Sequence, residues 1–210
     1  WMTNATALLP GARIAPIEDC WVLTGALRRA LEPIRMLAEL FAPMRGELTL
    51  ACLDSDAGID VKVKGAGRAA IEDRARLEAA ARLADDADFA RLSLDADPIV
   101  VRRQPRLAMG QATLAPPPGA FVQATRAGEE ALAALVVEAL AGASCVADLF
   151  SGCGTFALRT AAFAETHAFE GDADMLGALK RAADGAGGAL RTVVAARRDL
   201  ALRRQAHGGA

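Results

Sequence analysis

The stretch CVADLFSGCGTFAL, residues 145–158, decides the fold of the second half of the chain. An apolar run ends at Asp148, a glycine turn follows at Gly152 and Gly154, and an apolar helical pattern begins directly after it. A strand that leads through a glycine turn into a helix is typical of open α/β folds that hold nucleotide-like cofactors. Because glycine lets the backbone approach a ligand closely, the stretch predicts a nucleotide-type ligand.

Two classes of ligand fit this turn by spacing alone. Residues 152–157 satisfy the G-x-G-x-x-G/A pattern of dinucleotide-binding folds, and Glu170 ends the next apolar run, where an acid that binds a ribose belongs. Asp148 favours the second class, because a carboxylate in front of the turn repels a pyrophosphate but can hold the ammonium of an amino acid. A ribose and a cationic amino acid without phosphate describe S-adenosylmethionine. An ordinary strand-to-helix turn capped by Asp148 is the structural alternative.

Helices and strands alternate regularly around the glycine turn. Apolar spacing predicts three helices, at 126–141, 153–164 and 173–186, and three strands, at 145–150, 166–170 and 190–195. This alternation implies a parallel sheet with right-handed crossovers. Since open sheets of this kind have about five strands or more, we expect a partial Rossmann-like α/β sheet.

The first half of the chain has a different pattern, typical of an α+β domain. The spacing predicts helices at 24–42 and 66–86, a β-hairpin at 47–65 around the turn DSDAG, and strands at 89–95 and 99–103. Proline and glycine are then concentrated over 104–120, which predicts a connector.

Composition limits the classes of partner and compartment. The 24 basic and 26 acidic residues give a net charge of −2, which supplies no global electrostatic reason to expect nucleic-acid binding. The four scattered cysteines contain no C-x-x-C pair, so they do not predict a disulfide framework. No apolar run approaches the roughly 20 residues of a membrane-spanning helix. We therefore expect a soluble, cytoplasmic protein with no membrane contact.

Four separated segments share their sequence with one enzyme family. They are PPPGAFVQAT at 116–125, DLFSGCGTFAL at 148–158, FEGDADMLGALKRAA at 169–183 and RRDL at 197–200. Together they resemble the S-adenosylmethionine-dependent RNA uracil-5-methyltransferases, which make 5-methyluridine in ribosomal and transfer RNA. The first segment is the most discriminating, because a proline–glycine approach to F-x-Q is peculiar to this family. The resemblance implies an α+β central domain over 1–115 and the N-terminal part of the cofactor-binding methyltransferase domain over 116–210.

The resemblance also implies a set of cofactor-binding residues and an RNA partner. Gln123 of F-x-Q would contact S-adenosylmethionine, Glu170 would bind its ribose, and Asp199 would lie near its adenine. Gln123 could instead be a polar residue at a helix start, Phe150 a core residue, and Asp199 a surface acid. Ribosomal RNA is the favoured target over transfer RNA, and DNA is not expected. The complete implied set is Gln123, Asp148, Phe150, Gly152, Gly154, Thr155, Glu170 and Asp199.

The catalytic segment of the family is missing from the sequence. The family reaction needs a cysteine thiolate that adds to carbon 6 of uracil, so that carbon 5 attacks the cofactor methyl. No S-C-N-P-like segment occurs, so we expect no catalytic residue here and a chain that is inactive alone, as a piece of an enzyme truncated at both ends. A small-molecule methyltransferase, a dinucleotide enzyme and a non-catalytic binding module for S-adenosylmethionine or RNA stay open as alternatives.

Cys20 in EDCWVL resembles the last of four iron–sulfur ligands found in many members of the family. The run that supplies the first three ligands is not present in the sequence. The other cysteines do not combine with Cys20 at any familiar iron–sulfur spacing. We therefore expect no metal site in this chain, and an iron–sulfur cluster only in a longer protein.

Overall fold

The computed structural model describes residues 17–43, 46–95 and 97–197. The chain divides into two compact units. Of the described residues, the first unit comprises those up to Ala108 together with Ala115–Ala131, and the second comprises Met109–Leu114 and those from Leu132 to Arg197. Residues 116–131, which the sequence assigned to the methyltransferase domain, thus fall in the first unit. The domain boundary after residue 115 stays a prediction.

In its described residues, the first unit contains three complete helices and a four-stranded sheet. The sheet has the order β1-β2-β3-β4, in which β2 and β3 are parallel and the outer pairs antiparallel. The β-hairpin predicted at 47–65 is confirmed as β1 and β2. The elements are α1 (Gly25–Phe41), β1 (Thr49–Ser55), β2 (Gly58–Lys64), α2 (Arg68–Glu72), α3 (Arg74–Asp86), β3 (Arg91–Leu94) and β4 (Asp97–Val101).

The helical pattern predicted at 66–86 is interrupted once, at Asp73. Asp73 is extended, and its carboxylate accepts a hydrogen bond from the Arg76 backbone N–H at 3.1 Å, so it caps α3 rather than continuing α2. Thr24 caps α1 in the same way, because its hydroxyl accepts from the Leu27 N–H at 3.3 Å. Short polar side chains prefer this position because they satisfy backbone donors that a helix leaves unpaired.

The core of the first unit lies between the sheet and helices α1 and α3. Leu37 and Phe41 of α1 and Val61 of β2 have no exposed surface. Burial of a side chain of this size stabilises the folded state by about 2 kcal/mol. The small residues Ala80 and Ala84 of α3 are also fully buried, so the helix approaches the core closely.

The connector predicted at 104–120 contains a short hairpin, and a parallel sheet follows it. The hairpin consists of β5 (Leu107–Met109) and β6 (Ala112–Leu114). The next sheet has the order β7-β8-β9 with all strands parallel, which confirms the predicted α/β alternation. Along the chain, the elements of this region are α4 (Arg126–Ala139), β7 (Cys145–Leu149), α5 (Ala157–Thr160), β8 (Glu165–Glu170), α6 (Ala173–Ala186), a 3₁₀ helix (Gly187–Ala189) and β9 (Val193–Arg197).

The helix predicted at 153–164 is wrong in length. Residues 152–156 form turns, and α5 is only 4 residues long. Gly152 and Gly154 have φ values of +56° and +95°, which lie outside the helical region and delay the start of the helix. No described helix has both the length and the apolar character that crossing a bilayer requires.

Candidate functional site

The carboxyl ends of β7 and β8 lie side by side and bring most of the predicted residues together. Leu149 of β7 pairs with Phe169 of β8, and the Ser151 N–H donates to the Phe169 carbonyl at 3.1 Å. Ligands of open α/β sheets bind at this edge of the sheet. Asp148, the glycine turn and Glu170 therefore meet where a cofactor is expected.

Glu170 joins the two loops that leave this edge of the sheet. Its Oε2 accepts a hydrogen bond from the Gly152 N–H at 2.8 Å, and its Oε1 accepts from the N–H groups of Gly171 at 2.7 Å and Asp172 at 2.9 Å. A carboxylate offers about four acceptor positions, of which these bonds use three. A ribose could therefore take the remaining position directly, and a second ribose contact requires one loop amide to give way.

Two residues that the sequence analysis did not single out support the Glu170 loop. Asp172 caps α6, because its Oδ1 accepts from the N–H groups of Asp174 at 2.9 Å and Met175 at 3.0 Å. Arg197, at the end of β9, donates from Nε to the Gly171 carbonyl at 3.1 Å. The aspartate just before a helical pattern is a recognisable cap signal, whereas a contact between distant residues leaves no local signal.

Asp148 has a buried, unsatisfied side-chain oxygen. Its Oδ2 has no hydrogen-bond partner among the described residues. Burial, and secondarily the charge of Glu170, raise the pKa of Asp148, while the nearby backbone N–H of Ala157 opposes this. Buried carboxylate oxygens are normally paired, so the free oxygen marks Asp148 as a candidate ligand contact, and its bond to the ammonium of S-adenosylmethionine stays a prediction.

We expect Asp148→Asn to make the ligand-free protein more stable at pH 7. The pKa of Asp148 in the folded state lies above its ordinary value of 3.8, so the protonated carboxyl favours the folded state. Its contribution to the free energy of unfolding is therefore fully present below pH 3.8. It is lost as pH rises through the folded pKa. Thermal unfolding between pH 3 and pH 8 checks this, since the advantage of Asn should grow with pH. A wild-type protein that matches or exceeds the variant at pH 7 would contradict it.

Phe150 and Gly154 adopt left-handed backbone conformations within the turn. Phe150 has φ +60°, which is uncommon for a bulky residue, and its side chain is 71% exposed. It is therefore not a core residue, and strain of about 1–3 kcal/mol at such positions is characteristic of functional sites. Thr155 is half-buried, and its carbonyl accepts from Arg159 Nη1 at 2.6 Å.

We expect Gly154→Ala to lower the free energy of unfolding by about 2–4 kcal/mol. Its φ is +95°, and a Cβ there would lie 2.8 Å from Leu179 Cγ, inside the packed face of α6. The matched control is Gly152→Ala, where φ is +56° and no heavy atom lies within 4 Å of the added Cβ. Chemical denaturation should show at least twice the loss for Gly154, and equal losses would contradict the packing argument.

The cofactor roles of Gln123 and Asp199 stay predictions. Gln123 belongs to the first compact unit, whereas Asp148 and Glu170 belong to the second. Gln123 is half-buried and does not cap α4, because the Thr125 hydroxyl accepts from the Gly128 N–H at 2.9 Å. Asp199 lies outside the described residues, so its place near the adenine stays a prediction.

The cysteines lie apart from one another in sequence and are unpaired in the described part of the chain. All four are free thiols, and no three His, Cys, Asp or Glu side chains in the described ranges are arranged to hold a metal ion. Burial raises the pKa of Cys153 in the glycine turn, and that of Cys52 in β1, to about 12. Since only the thiolate is a nucleophile, the raised pKa makes both thiols poor nucleophiles at neutral pH. Cys20 is half-buried.

Comparison with known proteins identifies close bacterial relatives, although no family model matches the chain. A protein of Mesorhizobium japonicum named as an uncharacterized RNA methyltransferase is 42% identical over 187 residues, 89% of this chain and 44% of the relative. Proteins with the same description from Brucella suis and Caulobacter vibrioides are 40% and 39% identical over 89% and 90% of this chain. The chain thus spans about half the length of the curated relatives it matches, 44% to 46%.

One solved structure shares the fold over most of the chain. It is the Pyrococcus abyssi tRNA (uracil-54, C5)-methyltransferase in complex with S-adenosyl-L-homocysteine, with a TM-score of 0.64. The match covers 89% of this chain and 49% of that structure at 16% sequence identity. A likeness at this identity establishes the fold, which is the predicted mixed α/β arrangement with a Rossmann-like sheet.

Proposed function

Because the chain belongs to the RNA methyltransferase family of these bacterial relatives, we propose that the complete protein methylates carbon 5 of a uracil in cytoplasmic RNA. Ribosomal RNA is the first candidate substrate and transfer RNA the second. The methyl donor would be S-adenosylmethionine, and this chain would carry the cofactor-binding part. One observation carries the proposal. A buried, unpaired oxygen of Asp148 and the carboxylate of Glu170 both lie next to the glycine turn.

Each residue of the site has a distinct role in this proposal. Asp148 would pair its free oxygen with the ammonium of the cofactor, and Glu170 would hydrogen-bond the ribose. The backbone of Gly152 and Gly154 would lie against the cofactor, and Phe150 and Thr155 would line its pocket. Gln123 and Asp199 would supply further contacts on the strength of the sequence motifs. When bound, the cofactor supplies an electrophilic methyl group on a sulfonium.

We propose that the nucleophile of the reaction is supplied by a segment that this sequence does not contain. No cysteine stands in an S-C-N-P-like context, and the pKa of both Cys52 and Cys153 is raised to about 12. The 210-residue chain alone should therefore give no turnover with uracil-containing RNA. Methylation by the isolated chain would overturn this division of roles. An iron–sulfur cluster would likewise belong only to a longer protein.

Calorimetric titration with S-adenosylhomocysteine, S-adenosylmethionine and NAD⁺ tests the cofactor assignment. We expect the first two ligands to bind and Asp148→Asn to weaken their binding about tenfold, because a charge-assisted hydrogen bond is replaced by a neutral contact. The matched control is Glu165→Gln at the opposite end of β8, where Glu165 is exposed and its side-chain carboxylate bonds to His167. Binding of NAD⁺ alone would establish the dinucleotide alternative. No binding of any of the three would overturn the cofactor role of this chain.

A further inference from the structure

A buried ion pair connects strands β2 and β3 of the first unit. Asp60 and Arg91 are register partners, and their side chains are only 2% and 6% exposed. Arg91 donates from Nε to Asp60 Oδ1 at 2.8 Å and from Nη2 to Asp60 Oδ2 at 2.6 Å. Buried charges are tolerated when they are paired and fully hydrogen-bonded, and this bidentate geometry meets that condition.

The same arginine holds the proline segment that precedes Gln123. Arg91 Nη2 also donates to the Pro116 carbonyl at 3.0 Å. Lys62, two residues along β2 from Asp60 and on the same face of the strand, donates from Nζ to the Pro118 carbonyl at 3.2 Å. Proline has no N–H group, so its carbonyl is the only backbone group by which such a segment can be hydrogen-bonded.

Gly119 brings the end of the segment against the lysine side chain. A Cβ at Gly119 would lie 2.6 Å from Lys62 Cδ, and its φ of +69° is left-handed. The Ala120 N–H then donates to the Pro117 carbonyl at 3.1 Å, which closes a turn. Three consecutive prolines are therefore fixed at both ends of their run by cationic side chains of the sheet.

This attachment determines how the residues after the turn are presented. Ala120 and Val122 are buried, whereas Phe121 is 65% exposed and Gln123 is half-buried. Burial therefore alternates along the segment, which leaves Phe121 and Gln123 more accessible than the residues before each of them. A segment that lost its anchors would no longer be held in this orientation.

We propose that Asp60, Lys62 and Arg91 are positioning residues, which hold the proline segment so that Gln123 is presented to the cofactor. This inference rests on the proposed cofactor role of Gln123. The three side chains act through the backbone of residues 116–120 and are not themselves cofactor ligands. Arg91 holds the start of the segment, Lys62 holds its end, and Asp60 keeps Arg91 in place.

Lys62→Met tests the inference without leaving a buried charge unpaired. The variant keeps an unbranched apolar side chain against Gly119 and removes only the bond to Pro118. The matched control is Lys64→Met on the same face of β2, where the lysine is exposed. In the ligand-free chain, we expect the Ala120 amide to exchange its hydrogen about tenfold faster in Lys62→Met. Lys64→Met should leave that rate unchanged.

A double-mutant cycle on the affinity for S-adenosylhomocysteine then separates positioning from general stability. Lys62→Met and Gln123→Ala should each weaken binding about tenfold, and the double variant should be no weaker than Gln123→Ala alone. Additive losses, or unchanged binding in Lys62→Met, would overturn the positioning role and leave the cofactor site intact. Unchanged binding in Gln123→Ala would instead overturn the cofactor role of Gln123, and the inference with it.

Failure of the chain to bind the ligand at all would overturn the proposed function, and Ala120 exchange would then decide whether Lys62 holds the segment. Unchanged Ala120 exchange in Lys62→Met would overturn that anchoring whatever the ligand result.

Discussion

Replacement of Arg91 by methionine is expected to lower the free energy of unfolding by about 3–5 kcal/mol, because it leaves the Asp60 carboxylate buried without its partner. Asp60 is 2% exposed, so water cannot take over the role of the guanidinium. The Pro116 carbonyl loses its donor in the same change. Denaturant titration followed by circular dichroism measures the effect.

Two further variants show whether the loss comes from the unpaired charge. The double variant Asp60→Leu with Arg91→Met removes both charges and should recover most of the stability, because apolar side chains of similar volume can replace a buried pair at little cost. Arg28→Met is the surface counterpart, since Arg28 makes the same bidentate contact to Asp19 with its side chain 34% exposed. It should cause a much smaller loss. A double variant as unstable as Arg91→Met would contradict the electrostatic explanation.

Glu170→Ala is expected to weaken cofactor binding by at least about tenfold and to lower the free energy of unfolding by about 2–3 kcal/mol. The loss of stability comes from the three backbone N–H groups that the carboxylate accepts. The loss of affinity comes from the proposed bond to the ribose together with the loosened loops. Titration with S-adenosylhomocysteine and thermal unfolding measure the two quantities on the same samples.

A loss of affinity in Glu170→Ala alone would not distinguish ribose binding from loop support. Glu170→Gln keeps one acceptor oxygen and the side-chain volume, so it should retain more stability than the alanine variant while still losing affinity. If Glu170→Gln binds the ligand as tightly as the wild type, Glu170 acts only as loop support. Unchanged stability in Glu170→Ala would show that the three hydrogen bonds do not hold the turn.

Local periodicity predicted the parallel sheet well and the glycine turn less well. The strands at 145–150 and 166–170 could be recognised because apolar runs between helical patterns are characteristic of α/β folds. The helix predicted at 153–164 was too long because the left-handed conformations of Gly152 and Gly154 do not alter the apolar spacing. The motif indicated Glu170 as a site residue, but its three loop bonds depend on how two strand ends meet.

The anchoring of the proline segment could not be predicted from the sequence. Asp60 and Arg91 lie 31 residues apart, and Lys62 lies 56 residues from Pro118. No periodicity connects residues at such separations, because their pairing depends on the parallel β2–β3 register. The exposure of Phe150 could not be predicted from the sequence either. The sequence left a core position open for this residue, whereas the structure places it at the surface.

The burial of Cys153 gives the glycine turn a resistance to oxidants and alkylating reagents. Peroxide and iodoacetamide react with thiolates that they can reach, whereas burial raises the pKa of Cys153 and leaves the residue only 3% exposed. Cys145, at the start of β7, is exposed. Reagents should therefore modify Cys145 well before Cys153, so a fluorophore can be attached at the amino end of this strand while the turn at its carboxyl end stays chemically intact.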